Sequence, residues 1–310
     1  MNALLKETMG RVKIGDPLFA RNLTIFPLVN GGGEACSYYT LSEGIEAGSV
    51  TVSELEIPDV NEVILDNQGN EPLFLLDGEE IFGARQTRVT TTAALIEGRS
   101  SVPVPVACIE EGRWGGDFNF GGSFSSTHPR LRSIICSGVS ASLASAKSFR
   151  APQRLIWNEV SRKLDSLKVT SATSSFHDLA TAKADETKRY ILDSINIPDA
   201  QGMIVTAGSE ILGLEYASSS RLFAALSQKL LRGYALDALE KIKSATPPSS
   251  KRLNAFLSSI SKAQVSVYSG VALGQDYRFN SSRYVGRALV LKDSIVQASF
   301  FPIVSGRSLN

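Results

Sequence analysis

Pro72–Trp114, PLFLLDGEEIFGARQTRVTTTAALIEGRSSVPVPVACIEEGRW, decides how the chain is read. Leu73 to Leu76 is an apolar run long enough for one buried strand and too short for an ordinary helix. Asp77 and Gly78 predict a turn, with Glu79 and Glu80 at the strand's end. Gly83 interrupts the next apolar pair ahead of Arg85, Gln86 and Arg88. From Val89 to Ile96 the residues are mostly β-branched or small, which predicts a second strand. A two-residue period puts Gln86, Arg88, Thr90 and Thr92 on one face and Arg85, Thr87, Val89, Thr91 and Leu95 on the other. A third strand is expected from Val102 to Ile109. Pro103 and Pro105 cannot donate to a ladder, so it should be an edge strand or an extended segment laid on the sheet. The product is a β-hairpin whose ends gather Glu79, Glu80, Glu110, Glu111, Arg85, Arg88, Arg113, Gln86 and Trp114.

The segments DGEEIFGARQTR and CIEEGRW resemble the two most characteristic motifs of a bacterial family, the ADP-ribosylglycohydrolase and rhodanese-phosphatase-associated protein domain, whose activity is unestablished. The matching positions are Asp77, Gly78, Glu79, Gly83, Ala84, Gln86, Arg88, Cys108, Glu110, Gly112, Arg113 and Trp114. The chain departs from the family pattern with Arg85 for Lys, Thr87 for Asn and Glu111 for Gln. A C-terminal strand that often carries a His in the family has Gln297 instead, so an acid or base role for that His does not transfer. The resemblance covers most of the chain and is sharp in the hairpin. It implies an association with ADP-ribose and NAD-derived metabolism.

Composition bounds the rest. At 310 residues, with 43% hydrophobic and 20% charged, the chain has ample material for a core. A net charge of +1, with Lys and Arg scattered, gives no electrostatic footprint for nucleic acid. Cys36, Cys108 and Cys136 are widely spaced and form no CxxC pair, which suits a reducing cytosol. The opening MNALLKETMGRVKIG does not read as a signal peptide, and no run approaches the ~20 apolar residues of a spanning helix. A cytoplasmic protein with no membrane or nucleic-acid partner is expected.

Outward from the hairpin, residues 1–21 predict a short helix and a connector, and Leu23–Val29 a strand. The glycine-rich Asn30–Glu34 could be an anion cradle or a turn. It lacks the Lys and Ser/Thr of a phosphate loop, which favours the turn. Thr40 and Glu43 have capping-box spacing for a helix ending near Gly48, followed by strands at Val50–Leu55 and Glu62–Asp66. Gly115–Thr127, rich in Gly, Ser and Phe, reads as a lid, a strand edge or an oligomer contact. Helices are expected from Pro152 to Lys168, from Ser175 to about Ile195, from Ser219 to about Lys243 and from Ser250 to Ser261. Trp157 should anchor the first of these, and His177, inside the cap of the second, reads more readily as an exposed residue than as a catalytic one. GMIVTAGSEILG at Gly202–Gly213 repeats FLLDGEEIFG at Gly78, Glu80, Ile81 and Gly83, which would suit two similar strand-turn-strand units. Strands at Gln264–Leu273, Tyr284–Leu291 and Ser294–Phe301 close the chain, the last two joined tightly at Lys292-Asp293. The whole reads as one α+β domain: a β-rich part (22–114), the loop at 115–127, a helical part (150–262) with a strand pair near 202–216, and C-terminal strands (264–302) that return to the first sheet.

No standard catalytic constellation is present. His128, His177 and the three cysteines lack metal-site spacing, and no nucleotide-binding glycine motif is found, so neither metal nor cofactor is expected. Two functions fit what remains. In the first, Arg85, Arg88 and Arg113 bind the pyrophosphate of an ADP-ribose-like ligand, with Gln86 beside them and Trp114 stacking on adenine. Glu79, Glu80 and Glu110 then take ribose hydroxyls or act as acid or base. In the second, a structural or homo-oligomeric assembly protein, Arg88 and Arg113 pair internally with Glu79 and Glu110. Exposure separates the two: a site needs two arginines facing one cleft with donors unspent.

Overall fold

The computed structural model describes residues 3–30, 38–122, 125–191, 199–241 and 246–304. Among them are eight helices and eighteen strands, paired antiparallel with one exception, an α+β architecture as the sequence predicts. Amphipathic α1 (Ala3–Arg11) buries Leu5 and Met9, then β1 (Lys13–Ile14) and β2 (Leu18–Ala20) lead into β3 (Leu23–Val29), buried almost throughout. The Asn30–Glu34 loop lies, beyond Asn30, outside the described residues. After β4 (Tyr39–Thr40), Thr40 and Glu43 form the expected capping box of α2 (Leu41–Glu46). β5 (Val50–Ser53) and β6 (Glu62–Asn67) alternate buried and exposed positions, as strands with one face on a core do.

The central stretch is more divided than its periodicity suggests. It gives β7 (Leu73–Leu75), β8 (Glu80–Gly83), β9 (Arg88–Thr90), β10 (Ala94–Ile96) and β11 (Ser100–Cys108). Val89–Ile96 is therefore two strands. β10 pairs with β7 in a three-stranded sheet with β4, whereas β9 pairs with β8 in a six-stranded sheet ordered β12-β8-β9-β11-β6-β5, where β12 is Phe120–Gly122. One hairpin thus feeds two sheets, and their facing apolar sides enclose a common core around Leu75, Ile81 and Val106. β11 is interior in the strand order and not an edge, but its proline-bearing half, Ser100–Pro105, pairs on one side only, with β6. The missing proline donors therefore cost nothing there. β12 makes part of the Gly115–Thr127 segment a strand edge; residues 123–124 lie outside the described residues.

The helical part begins earlier than Pro152. α3 (Pro129–Ala146) falls outside the helices expected from sequence: its apolar positions Leu131, Ile135, Val139 and Leu143 recur every four residues but are diluted by Ser, Ala, Gly and Cys; it is buried on several sides, with His128 as N-cap and Pro129 at its first position. α4 (Gln153–Ser166) follows, and the helix expected from Ser175 is two pieces, α5 (Phe176–Ala182) and α6 (Ala184–Lys188), its expected end falling outside the described residues. β13 (Gly202–Ala207) and β14 (Glu210–Ala217) form a hairpin. It shares a positive-φ glycine turn with Gly78 (Gly208 φ +53°, Gly78 φ +75°), but β7 and β8 part into different sheets, so the repeat is of a turn and not of a unit.

α7 (Ser220–Ala238) and α8 (Ser250–Ile260) precede β15 (Gln264–Ser269), β16 (Gln275–Asn280), β17 (Tyr284–Leu291) and β18 (Ser294–Pro302). The strand expected at Gln264–Leu273 ends at Ser269, and β16, not expected from sequence, follows it; its polar DYRF hides a buried ion pair, Asp276–Arg278. Lys292 and Asp293 (φ +47° and +58°) make the two-residue turn expected between β17 and β18. The C-terminal strands do return: β18 pairs with β14, β14 with β13, and β13 with β3, in one nine-stranded sheet. α1 and α8 cover its apolar face. On the other face α3 and α7 bury a charged cluster. Asp77 accepts from Arg132 of α3 (3.1 Å) and Arg287 of β17 (2.9 Å), and Arg132 also pairs with Glu215 of β14. Burial opposes ionisation of Asp77, yet the two guanidinium groups hold its carboxyl at about 2. The Asp-Gly turn of the hairpin is thereby tied to the large sheet, and a Cβ on Gly78 would stand 2.5 Å from Arg132 Cγ.

Candidate functional site

The turn-strand segments at the hairpin's ends carry the charged residues, and most of their charge is spent within the protein. Arg88 is wholly buried. Its Nη1 donates to Gln86 Oε1 (3.0 Å) and Cys108 Sγ, its Nη2 donates to Glu54 Oε1 (3.3 Å), and its guanidinium lies 5.7 Å from the Trp114 ring centre. Gln86 in turn donates to the Glu110 carbonyl (2.9 Å). Burial pushes the Cys108 thiol up to about 11, which keeps it an inert thiol. Arg113 grips Glu110 with two N–H groups (2.7 and 2.9 Å), and its Nη1 donates to the Ala84 and Gly115 carbonyls. Glu110 also accepts from Thr87 N, Thr87 Oγ1 and Thr173 Oγ1. Burial raises its pKa, but these donors outweigh burial and bring it to about 2, too weak a base for proton transfer near neutrality. Glu79, buried, pairs with Lys229 of α7 and accepts from Leu76 N. Arg85 is half-buried with its guanidinium over Trp114, 5.8 Å from the ring centre.

The three arginines therefore do not converge on one cleft. Arg88 pairs with Glu54, not with Glu79 or Glu110; Arg113 pairs with Glu110.

Glu80 is different. It opens β8 and is buried, but one carboxylate oxygen accepts from Ser125 Oγ and the other lies 2.9 Å from Nδ1 of His177. The chain brings this histidine across 97 positions by anchoring the start of α5 to the end of the hairpin. Phe176 N donates to the Ile109 carbonyl, Glu111 and Gly112 N–H donate to the Thr173 carbonyl, and Ser175 caps His177 N. The imidazole then stacks on Phe82, with ring centres 3.8 Å apart. The hydrogen bond to Glu80 raises the His177 pKa and outweighs the opposing effect of burial.

His177 stands in the wall of two cavities. One, of about 320 Å³, is lined by Glu80, Ser125, Thr181, Lys188 and Arg232 among others; the other, of about 400 Å³, by Phe82, Glu110, Arg113, Asp117, Asn119 and Asp178. A carboxylate on Nδ1 fixes the neutral tautomer with Nδ1–H donating and leaves Nε2, 3.4 Å from Thr181 Oγ1, as the basic nitrogen. Of the residues expected from sequence, Glu80, Glu110 and Arg113 line these cavities, and Glu79, Arg85, Gln86, Arg88 and Trp114 do not. The signal missed was His177 itself: its capping position predicts exposure, and only the docking of α5 on the hairpin gives it a carboxylate. The Gln153 amide of α4 brackets Cys108 through both backbone groups (2.9 and 2.7 Å), a strand-like clasp. Among the described residues no three His, Cys, Asp or Glu side chains are placed to hold a metal ion, and no helix is long and apolar enough to cross a membrane.

Residues 11–301 match the family model described as the ARG and Rhodanese-Phosphatase-superfamily-associated Protein domain. No curated protein and no solved structure matches the chain.

Proposed function

The chain belongs to the ARG and Rhodanese-Phosphatase-superfamily-associated Protein domain family, and from that premise we propose that it binds a ribose phosphate of the ADP-ribose or NAD-derived kind beside His177 and acts on it by acid–base chemistry. The observation that carries this reading is the buried Glu80 carboxylate on Nδ1 of an imidazole that borders two cavities. Such a pair orients the ring and stabilises its protonated form, so that Nε2 can take a proton from water or a sugar hydroxyl and return it to a leaving group. Lys188 and Arg232, exposed on one side, supply phosphate donors; Asp117, Asn119 and Asp178 on the other supply acceptors and an amide for hydroxyls.

Thermal denaturation of the native protein and of His177→Gln, with and without ADP-ribose, NAD, AMP and ribose 5-phosphate, tests the reading. A ligand at about a hundred times its Kd adds roughly 2.7 kcal/mol, a rise of several degrees. ADP-ribose and ribose 5-phosphate should stabilise the native protein and not the variant. Any turnover should rise with pH through an inflection above 6.5, the ordinary imidazole value, because Glu80 raises it, and Glu80→Gln should lower that inflection. Equal shifts in both proteins, or none, exclude the site. A second reading, an assembly protein without turnover, is favoured by the exposure of Trp114 and Phe118 (50% and 49%) beside the Arg88–Glu54 pair. It predicts no ligand shift and a defined oligomer in sedimentation.

A further inference from the structure

A third cleft, of about 700 Å³ and larger than the two beside His177, lies where the start of α3, the end of α7, α8 and the β16–β17 turn meet. Its floor is an ion network with no charge to spare. Arg162 of α4 is bidentate on Glu159 (2.7 and 2.9 Å) and also reaches Glu240 (3.0 Å); Lys163 bridges Asp237 and Glu240 (2.5 and 2.6 Å). Arg130 adds a contact to Glu159 (2.9 Å), and buried His128 lies 2.9 Å from Asp237. At the rim Lys241 pairs with Glu210. Every carboxylate of the lining is thereby matched. Two cations remain: the side chains of Arg252 on α8 and Arg283 in the turn are exposed on the same cleft, and neither has a carboxylate within 4.0 Å among the described residues. Their backbones are fixed, Arg252 within α8 and Arg283 by its carbonyl, which accepts from Ile303 N (2.9 Å). Tyr284, Ile211 and Leu212 line the same cleft, and Tyr284 is held against Phe256 with ring centres 4.7 Å apart.

We infer that this cleft binds an organic phosphate carrying a flat ring, of the nucleoside monophosphate class, with Arg252 and Arg283 on the phosphate and Tyr284 against the ring. Two guanidinium groups whose donors are unspent among the described residues match a dianionic phosphate, and a floor whose own charges are matched adds no repulsion. The site is separate from His177: Arg232 and Leu236 of α7 line the cavity there, whereas Asp237 and Glu240 line this cleft.

Isothermal titration with AMP and with pyrophosphate at low ionic strength tests the assignment, using the native chain, Arg252→Ala/Arg283→Ala, Tyr284→Leu and His177→Gln. Both arginines are exposed, so the double variant should keep the native melting temperature in the absence of probe, which verifies its fold. Both probes should bind the native chain, weaken at least tenfold in the double variant and keep their affinity in His177→Gln; Tyr284→Leu should weaken AMP and spare pyrophosphate. Affinities in the double variant within twofold of native, loss in His177→Gln alone, or no binding of either probe would each overturn the inference.

Discussion

Glu110→Gln tests whether the Glu110–Arg113 pair is a structural lock. The native carboxylate accepts from two Arg113 nitrogens, from Thr87 N and Oγ1, and from Thr173 Oγ1. An amide keeps one acceptor and turns an N–H toward these donors. A carboxyl moved from 4.5 to about 2 corresponds to roughly 3 kcal/mol, at about 1.36 kcal/mol per tenfold change in proton affinity. The Arg113 side chain is 29% exposed, so water screens the pair, and about 2 kcal/mol is the expected loss. The sign follows from the depressed folded-state value. The contribution is whole above the ordinary 4.5 and is lost as pH falls through about 2. Urea unfolding followed by circular dichroism should give native and variant stabilities that differ by about 2 kcal/mol at neutral pH and converge in acid. A gap unchanged down to about pH 2, or no gap at neutral pH, would refute the lock and reopen Glu110 as a working acid or base.

Arg88→Met should cost about 3–5 kcal/mol in chemical denaturation, because it leaves the buried Glu54 carboxylate unpaired. Arg88→Met/Glu54→Gln should recover much of that loss; a double variant no more stable than the single would show that the pair is not what matters. Gly78→Ala, at φ +75° with Arg132 Cγ 2.5 Å from the new methyl, should destabilise by more than about 2 kcal/mol. Gly48→Ala, at φ +67° with open space around it, should lose only about 1 kcal/mol, and equal losses in the two would show that backbone strain alone governs Gly78.

The sequence by itself determined the α+β class, the extent of β3 and β17, the capping box of α2 and the tight turn at Lys292-Asp293, but not the division of Pro72–Trp114 between two sheets. These depend on neighbours a few residues apart, where apolar alternation and cap chemistry act. α3 stayed hidden because its apolar positions are diluted by small and polar residues that are buried as well, and β16 because its buried charges read as surface. The same limit governs the site. Charge and motif marked Glu79, Glu80, Glu110, Arg85, Arg88 and Arg113 as a group, yet which of them is free to act depends on partners far along the chain: Lys229 for Glu79, Glu54 for Arg88, His177 for Glu80. Whether a carboxylate is locked by a cation or meets a histidine at the edge of a cavity is set by how helices dock on sheets. Only the tertiary structure decided that, because ion pairing and burial depend on distances that chain order does not encode.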